Sequence, residues 1–232
     1  MGFVSNLFWT VLGYIQSALT ALNIPAFIYD QVITKRLTKY TYYKLFDKME
    51  PRIEKYKKIL DVGTGTGEAL YSIIDRFSKD TQIVGIDIDK NYIKKAAELF
   101  KDRRNVRMRE QDFYELAESK EKFDAIVFSS SFMLMPDTKK ALEVAKGLLN
   151  PGGKIFFLMT LYAKKKKFVE KIKPYLKYYT TIDFGNITYE WEFEDLLTSN
   201  KLNILHKERI FYKLTPLLFF FRVFLVECDI KA

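Results

Sequence analysis

The chain has 232 residues, of which 48% are hydrophobic and 29% charged, a composition typical of one globular domain with appended segments. A single cysteine excludes a disulfide framework and indicates a reducing, intracellular compartment, and a single histidine excludes histidine-rich metal sites, so no metal is expected. The formal net charge of +9 predicts a preference for anionic surfaces, such as acidic lipid, nucleic acid or an acidic partner.

Residues 1–29 contain no charged side chain. On a helical wheel the apolar residues fall on one half and the polar residues on the other, with Trp9 the exception, which predicts an amphipathic helix. A helix of this kind lies in a membrane interface or packs against protein, and its length also leaves a bilayer span open.

Residues 30–58 predict a basic and aromatic helical cap. Its basic side chains are Lys35, Arg36, Lys39, Lys44, Lys48, Arg52, Lys55, Lys57 and Lys58. The aromatic cluster Tyr40–Tyr43 lies among them. A basic segment after an uncharged amphipathic helix fits an anionic membrane surface. An ordinary solvated helix face remains the alternative.

From residue 59 onward, apolar runs alternate with helical patterns, which predicts a buried parallel sheet covered by helices on both faces. The predicted strands are 58–62, 82–87, 105–109, 123–129 and 154–160. The predicted helices between them are 67–78, 90–101 and 137–149. The sequence Asn150-Pro151-Gly152-Gly153 predicts a turn before the fifth strand.

After the fifth strand, residues 164–198 interrupt this alternation and predict an insertion on the substrate side of the sheet. The insertion opens with four consecutive lysines, Lys164 to Lys167, which favour a phosphate or an anionic lipid unless they form a solvated face. Two antiparallel strands are predicted at 203–214 and 219–229. The apolar connection 215–221 between them predicts a second contact with lipid.

A glycine-rich loop follows the first predicted strand, with the sequence Asp61-Val62-Gly63-Thr64-Gly65-Thr66-Gly67. About twenty residues later the second strand ends in another acid, Asp87. This spacing is typical of a nucleotide-binding strand–loop–helix–strand unit. The third glycine comes one position earlier than in the motif of NAD-binding enzymes, which disfavours a dinucleotide.

These residues, with Gln111-Asp112-Phe113 after the third strand and Pro151-Gly152-Gly153 before the fifth, resemble the class I S-adenosylmethionine-dependent methyltransferases. The resemblance covers residues 59–160 well and 195–229 loosely. It implies an α/β fold: a doubly wound, Rossmann-like, seven-stranded sheet, mostly parallel with an antiparallel C-terminal strand, in a methyltransferase domain at 59–232.

The resemblance also implies a binding site for S-adenosylmethionine. The residues that it assigns to the cofactor are Asp61, Gly63, Thr64, Gly65, Gly67, Asp87, Ile88, Asp112, Phe113 and Ser129. The first acid and the glycine loop would take the amino-acid part of the cofactor, and Asp87 the ribose hydroxyls. Ile88, Asp112 and Phe113 would hold the adenine, and Ser129 would face the methionine part.

Catalysis is less constrained by the sequence, because methyl transfer needs a base only if the acceptor must lose a proton. The candidates for a catalytic side chain are Tyr43, Ser130 and Tyr162. Apolar and aromatic side chains predict a hydrophobic acceptor pocket; they are Phe132, Met133, Met135, Tyr162 and the Tyr40–Tyr43 cluster. This pocket is similar to that of methyltransferases acting on quinones, sterols or phospholipids.

We therefore expect a peripheral membrane enzyme that methylates a lipid or another hydrophobic small molecule. One alternative is a catalytically silent subunit or assembly factor of a membrane complex. A further alternative is a methyltransferase acting on RNA or protein, although the sequence contains no recognisable RNA-binding module, which disfavours a nucleic acid partner.

Overall fold

A computed structural model describes residues 35–165, 188–210 and 223–231. Three segments for which the sequence predicts contacts lie wholly or mostly outside these ranges. They are the amphipathic helix at 1–29, the apolar connection at 215–221, and most of the insertion at 164–198.

Seven strands form one sheet with the order β3-β2-β1-β4-β5-β7-β6. They are β1 Lys58–Val62, β2 Gln82–Asp87, β3 Val106–Glu110, β4 Phe123–Ser129, β5 Leu149–Thr160, β6 Leu202–Ile210 and β7 Val223–Ile230. The first five strands are parallel, and β7 runs antiparallel to both of its neighbours. The predicted fold class is therefore confirmed, including the antiparallel C-terminal strand.

Helices cover both faces of the sheet. The α-helices are α1 Lys35–Met49, α2 Glu68–Tyr71, α3 Lys90–Leu99, α4 Thr138–Leu148 and α5 Glu190–Ser199. Short 3₁₀ helices lie at Glu50–Lys55, Ile74–Arg76, Phe113–Glu118 and Phe132–Leu134. Aspartates cap two of the α-helices: Asp89 accepts hydrogen bonds at the start of α3 and Asp137 at the start of α4.

One local prediction is wrong, and another is refined by the structure. The continuous helix predicted at 67–78 is instead the single turn of α2 and a separate 3₁₀ helix. The break follows Ser72, whose hydroxyl donates to the Ala69 carbonyl and competes with the helical pattern.

The turn predicted at 150–153 is present as a bulge within β5, which begins at Leu149. Phe123 pairs with Leu149 and Ala125 with Lys154, so residues 150–153 lie outside the regular pairing. The strand accommodates it because Gly152 adopts a left-handed φ of 78°.

The strands alternate their side chains between two hydrophobic clusters, one on each face of the sheet. On one face Leu60 and Val84 pack with side chains from α4 and α5. On the other face Ile59 and Ile83 pack with side chains from α1 and α2. The sheet is therefore buried from both sides, as the continuous apolar runs predict.

The helical segment before the sheet belongs to the second of these clusters. The side chains that α1 buries are Tyr42, Leu45, Phe46 and Met49. Their spacing of three and four residues places them on one side of the helix. Within the described ranges, no helix combines the length and apolar character needed to cross a bilayer.

An ion pair also fastens this segment to the sheet. Glu227, in the middle of β7, is only 1% exposed. Its carboxylate accepts a hydrogen bond of 2.5 Å from Arg52, in the 3₁₀ helix after α1, and lies 3.7 Å from the Lys48 ammonium. The segment 35–55 is thus anchored to the core by both apolar and charged contacts.

Candidate active site

The carboxyl ends of β1, β2 and β4 meet at one edge of the sheet, where the strand order changes direction between β1 and β4. This is the position at which open α/β sheets bind their ligands. The three strands bring Asp61, Asp87 and Ser129 to this edge. The glycine loop follows β1 directly and lies across the same edge.

The three glycines of the loop have different surroundings, although all adopt positive φ values between 58° and 73°. A Cβ added at Gly63 would lie 2.4 Å from the Cβ of Ser131, and one added at Gly67 would lie 2.9 Å from the Phe100 ring. A Cβ at Gly65 would meet nothing within 4 Å. Gly63 and Gly67 are therefore required by packing, whereas the backbone at Gly65 is open to an approaching ligand.

Backbone and side-chain hydrogen bonds fix the loop against β2. The amides of Gly63 and Thr64 both donate to the Ile86 carbonyl, at 2.9 and 3.0 Å. The Gly65 amide donates to one oxygen of Asp87 at 2.9 Å, and the Asp89 amide donates to the other at 2.9 Å. Asp87 thus presents a fixed carboxylate beside the open part of the loop.

The residues predicted to hold an adenine lie along the β2 and β3 side of this edge. Ile88 is 77% exposed, which is unusual for an isoleucine beside a buried strand. The Asp112 side chain accepts from the Tyr114 amide at 2.9 Å and begins a 3₁₀ helix, and Phe113 is buried behind it. An exposed apolar surface next to a fixed acid suits a flat heterocycle with a polar edge.

A buried polar cluster lies beneath the loop. It consists of Asp61, Tyr42, Thr64 and Ser129, all at most 9% exposed. The Tyr42 hydroxyl, from α1, contacts both oxygens of the Asp61 carboxylate, at 2.8 and 3.0 Å. The hydroxyls of Thr64 and Ser129 are buried and form no well-aligned hydrogen bond among the described residues, although the Thr64 hydroxyl lies close enough to the Asp61 carboxylate to influence its pKa.

Burial raises the pKa of Asp61 from 3.8 to about 6, and the nearby Asp87 carboxylate adds to the rise. The neighbouring hydroxyls of Thr64 and Tyr42 oppose it. Within the described ranges no lysine or arginine pairs with this carboxylate. An ammonium group bound here would supply the missing charge, and the hydroxyls of Thr64 and Ser129 would supply further polar contacts. These residues therefore fit the amino-acid part of S-adenosylmethionine.

Tyr42 is the site residue that the sequence does not single out. The sequence indicates a tyrosine cluster without choosing among its members. The helical spacing of Tyr42 with the buried apolar residues of α1 is the signal that could have identified it. In the structure the Tyr42 hydroxyl points toward Asp61 on β1. The hydroxyl of its neighbour Tyr43 points instead to the Ser72 carbonyl, at 3.0 Å, with 41% of Tyr43 exposed.

The other two catalytic candidates lie on the β4 and β5 side of the edge. Ser130 is exposed and has a φ of 57°, a left-handed conformation that is uncommon for serine and occurs at functional sites. Tyr162 is 6% exposed, and its backbone pairs with Tyr189. Tyr189 stacks on Trp191 with ring centroids 4.5 Å apart. The catalytic roles of Tyr43, Ser130 and Tyr162 remain predictions.

The sheet order, the glycine loop and the two acids together define a class I S-adenosylmethionine-dependent methyltransferase. The chain belongs to this family: the family described as "Methyltransferase domain" matches residues 53–209. The resemblance inferred from the glycine loop is confirmed, and S-adenosylmethionine is its cofactor.

Two relatives illustrate the similarity. A ubiquinone/menaquinone biosynthesis C-methyltransferase of Wigglesworthia glossinidia brevipalpis is 29% identical over 138 residues, covering 56% of this chain and 53% of the relative. A demethylmenaquinone methyltransferase of Thermotoga maritima is 26% identical over 155 residues, covering 66% of each. The chain therefore spans between half and two thirds of the length of these relatives.

Solved structures share the fold at low sequence identity. An S-adenosylmethionine-dependent methyltransferase from Clostridium acetobutylicum has a TM-score of 0.63 and 17% identity, covering 89% of this chain and 98% of that one. A geranyl diphosphate C-methyltransferase from Streptomyces coelicolor has a TM-score of 0.58 and 16% identity, covering 75% and 72%.

Proposed function

We propose that this protein transfers a methyl group from S-adenosylmethionine to a lipid or another hydrophobic small molecule at a membrane surface. The observation that carries the methyl-transfer part is the buried cluster around Asp61 beneath an open glycine loop. Among the described residues this cluster has no cation, and two of its hydroxyls form no well-aligned hydrogen bond. A scaffold without a ligand would gain nothing from these uncompensated polar groups.

The aromatic and apolar side chains at the carboxyl edge support a hydrophobic acceptor. Leu134 is 46% exposed and Trp191 is 42% exposed, and Trp191 stacks on Tyr189. Flat aromatic surfaces of this kind bind conjugated rings and apolar chains. The two relatives named as methyltransferases of quinone biosynthesis point to the same class of acceptor.

The residues of this chain position the reactants more than they exchange protons. S-adenosylmethionine supplies an activated methyl group, which moves by in-line displacement. Asp61 and Asp87 would orient the amino-acid part and the ribose of the cofactor, and the buried phenylalanine cluster of Phe128, Phe132 and Phe157 excludes water from below the site. Ser130 or Tyr162 would act as a base only for an acceptor that loses a proton.

The acceptor class can be tested with methyl-labelled S-adenosylmethionine. The full chain is incubated with a total lipid extract, with RNA or with a protein extract, and label should enter the lipid fraction. Asp87→Ala should abolish both labelling and calorimetric binding of S-adenosylhomocysteine. Asp102→Ala, which removes an exposed acid outside the site, should change neither. Label in RNA or in protein would contradict a hydrophobic acceptor and indicate that RNA or protein is the substrate. Cofactor binding without label in any fraction would favour a catalytically silent subunit.

The membrane part has a separate test, because the predicted anchor at 1–29 lies outside the described residues. The full chain should float with vesicles that contain anionic lipid, and a chain lacking residues 1–24 should not. Retained binding of S-adenosylhomocysteine would show that the shortened chain is folded. A folded shortened chain that still floats would contradict the anchor.

A further inference from the structure

A second cavity lies at the opposite edge of the sheet, beside the amino ends of β1, β2 and β3. Its volume is about 360 Å³. The side chains around it include Lys58 at the start of β1, Gln82 at the start of β2, and Arg107 on β3. The cavity therefore does not belong to the site formed by the glycine loop, which lies at the carboxyl edge.

The cavity has a strongly positive lining. Its charged side chains are the basic Lys58, Lys79, Arg104, Arg107 and Arg109 and the acidic Asp80 and Glu121, which give a formal charge of +3. An isolated positive surface would be unremarkable on a basic protein. Here, however, the charges converge on one concave volume, which strengthens their effect on an anion inside it.

One of the acids holds two of the cations in place. Glu121 accepts a hydrogen bond of 2.6 Å from Lys58 and one of 2.5 Å from Arg109. These hydrogen bonds lower the pKa of Glu121 to about 2, so the carboxylate stays ionised at neutral pH. Lys58 and Arg109 thus form a fixed wall, and their charges are partly compensated.

The other three cations have no such compensation. Within the described ranges, Lys79, Arg104 and Arg107 form no ion pair, and all three are exposed. Arg107 and Arg109 occupy alternate positions on β3, so their side chains leave the strand on the same face. The lining therefore combines two fixed cations with three that are available to a ligand.

The path of the chain brings one acid of the connection between β3 and β4 to this cavity. The connection between β3 and β4 contains a single short helix, Phe113–Glu118, which follows the carboxyl end of β3 and whose buried Phe113 and Leu116 belong to the hydrophobic cluster on one face of the sheet. From this connection, Glu121 is the residue that lines the cavity, beside the basic side chains.

We propose that this basic cavity binds a small soluble ligand that carries a diphosphate group. Planar guanidinium groups donate paired hydrogen bonds to phosphate oxygens, and three uncompensated cations match the charge of a diphosphate. The volume is that of a small-molecule pocket, and it is too small for a nucleic acid duplex. The amides of Gln82 and Asn105 add neutral hydrogen-bonding groups to the same lining.

Calorimetry with inorganic pyrophosphate tests this site in the full chain at low ionic strength. The wild type should bind one pyrophosphate per chain, and Arg107→Ser should raise the dissociation constant at least about tenfold, the effect of losing one charge-assisted contact. Lys94→Ser removes an exposed cation of α3 outside the cavity and should change nothing. Saturating S-adenosylhomocysteine should not compete, because the glycine loop lies at the other edge.

Three outcomes would overturn the proposal. Absence of saturable binding at millimolar pyrophosphate is the first, and equal weakening by Arg107→Ser and Lys94→Ser is the second. The third is binding of RNA or anionic vesicles that depends on Arg107 and that pyrophosphate cannot displace. Since Arg107→Ser leaves the glycine loop intact, binding of S-adenosylhomocysteine by the variant separates a failure here from a failure of the proposed methyl transfer.

Discussion

Asp61 illustrates how one buried residue links stability to ligand binding. Its pKa is about 6 in the folded chain, against 3.8 for an unperturbed aspartate. Above pH 6 the folded protein holds an ionised carboxylate that is 2% exposed, with only hydroxyl partners described. The unfolded chain ionises first as the pH rises, so this residue lowers the free energy of unfolding between pH 3.8 and 6. The loss is roughly 3 kcal/mol in total and persists at higher pH.

The same shift predicts a pH dependence of cofactor affinity. A protonated Asp61 cannot attract an ammonium group, so the affinity for S-adenosylhomocysteine should fall by up to about tenfold per pH unit below about pH 6. Calorimetry between pH 5 and 8 measures this profile. Asp61→Asn should bind weakly at every pH, and it should be more stable than the wild type in urea at pH 7.5. An unchanged wild-type affinity down to pH 5 would contradict the role of Asp61.

Tyr42 and Tyr43 provide a matched pair for this experiment. Tyr42→Phe removes the hydroxyl that donates to Asp61, so it should raise the pKa of Asp61 and move the fall in affinity to higher pH. Tyr43→Phe removes a hydroxyl that donates to the Ser72 carbonyl and should leave the profile unchanged. Equal shifts in both variants would indicate a general effect on α1.

The sequence predicts the two acids and the glycines at the site because their spacing along the chain determines their place at the ends of β1 and β2. It does not predict Tyr42. Three tyrosines stand within four positions, and they are chemically alike. The choice among them depends on how α1 packs across the sheet, which involves contacts with distant residues.

The glycine loop shows at the scale of one element that a repeated residue has more than one purpose. Gly63→Ala would force its Cβ to 2.4 Å from Ser131 in a left-handed conformation, so it should destabilise the fold by about 3 kcal/mol or more. Gly65→Ala meets no neighbour and adds only backbone strain of about 1 to 2 kcal/mol. We expect Gly65→Ala to lose cofactor affinity out of proportion to its stability.

Urea denaturation and calorimetric binding of S-adenosylhomocysteine, measured on both variants, separate these effects. Larger destabilisation by Gly65→Ala than by Gly63→Ala would contradict the assignment. The sequence motif alone gives the three glycines equal weight. Their distinct surroundings arise from Ser131 on the neighbouring β4 loop and Phe100 after α3, which the motif does not contain.

Two other elements also have features that local sequence patterns do not predict. Apolar periodicity predicts a helix through 67–78, but the Ser72 hydroxyl interrupts it after one turn. Pro151 and the two glycines after it predict a turn, and the structure places this turn in a bulge of β5, because pairing of Leu149 with Phe123 starts the strand before them. Such pairing is not visible in a short window of sequence.

At the scale of the molecule, the alternating pattern of the sequence predicts a parallel sheet between two layers of helices, and the family resemblance adds its antiparallel C-terminal strand. The sequence predicts a basic and aromatic helical cap at 30–58. In the structure, side chains of α1 pack into the core, and an ion pair connects the following residues to β7. Arg52 and Glu227 are 175 positions apart in the chain. No local pattern indicates that these two residues pair, because Arg52 lies in the predicted basic segment 30–58 and Glu227 in the predicted strand 219–229.

This ion pair leads to a prediction about the whole fold. Arg52→Met would leave the buried Glu227 carboxylate with only Lys48, at 3.7 Å, so the free energy of unfolding should fall by about 2 to 3 kcal/mol. The double variant Arg52→Met/Glu227→Met should lose less stability than the single variant Arg52→Met, because no uncompensated charge remains.

Arg103→Met is the control: it removes a surface pair with Asp75, which is 77% exposed, and should change stability little. Urea denaturation of these variants and of Glu227→Met completes a double-mutant cycle that measures the coupling, and additive effects at Arg52 and Glu227 would show that the segment 35–55 is held by its apolar contacts alone.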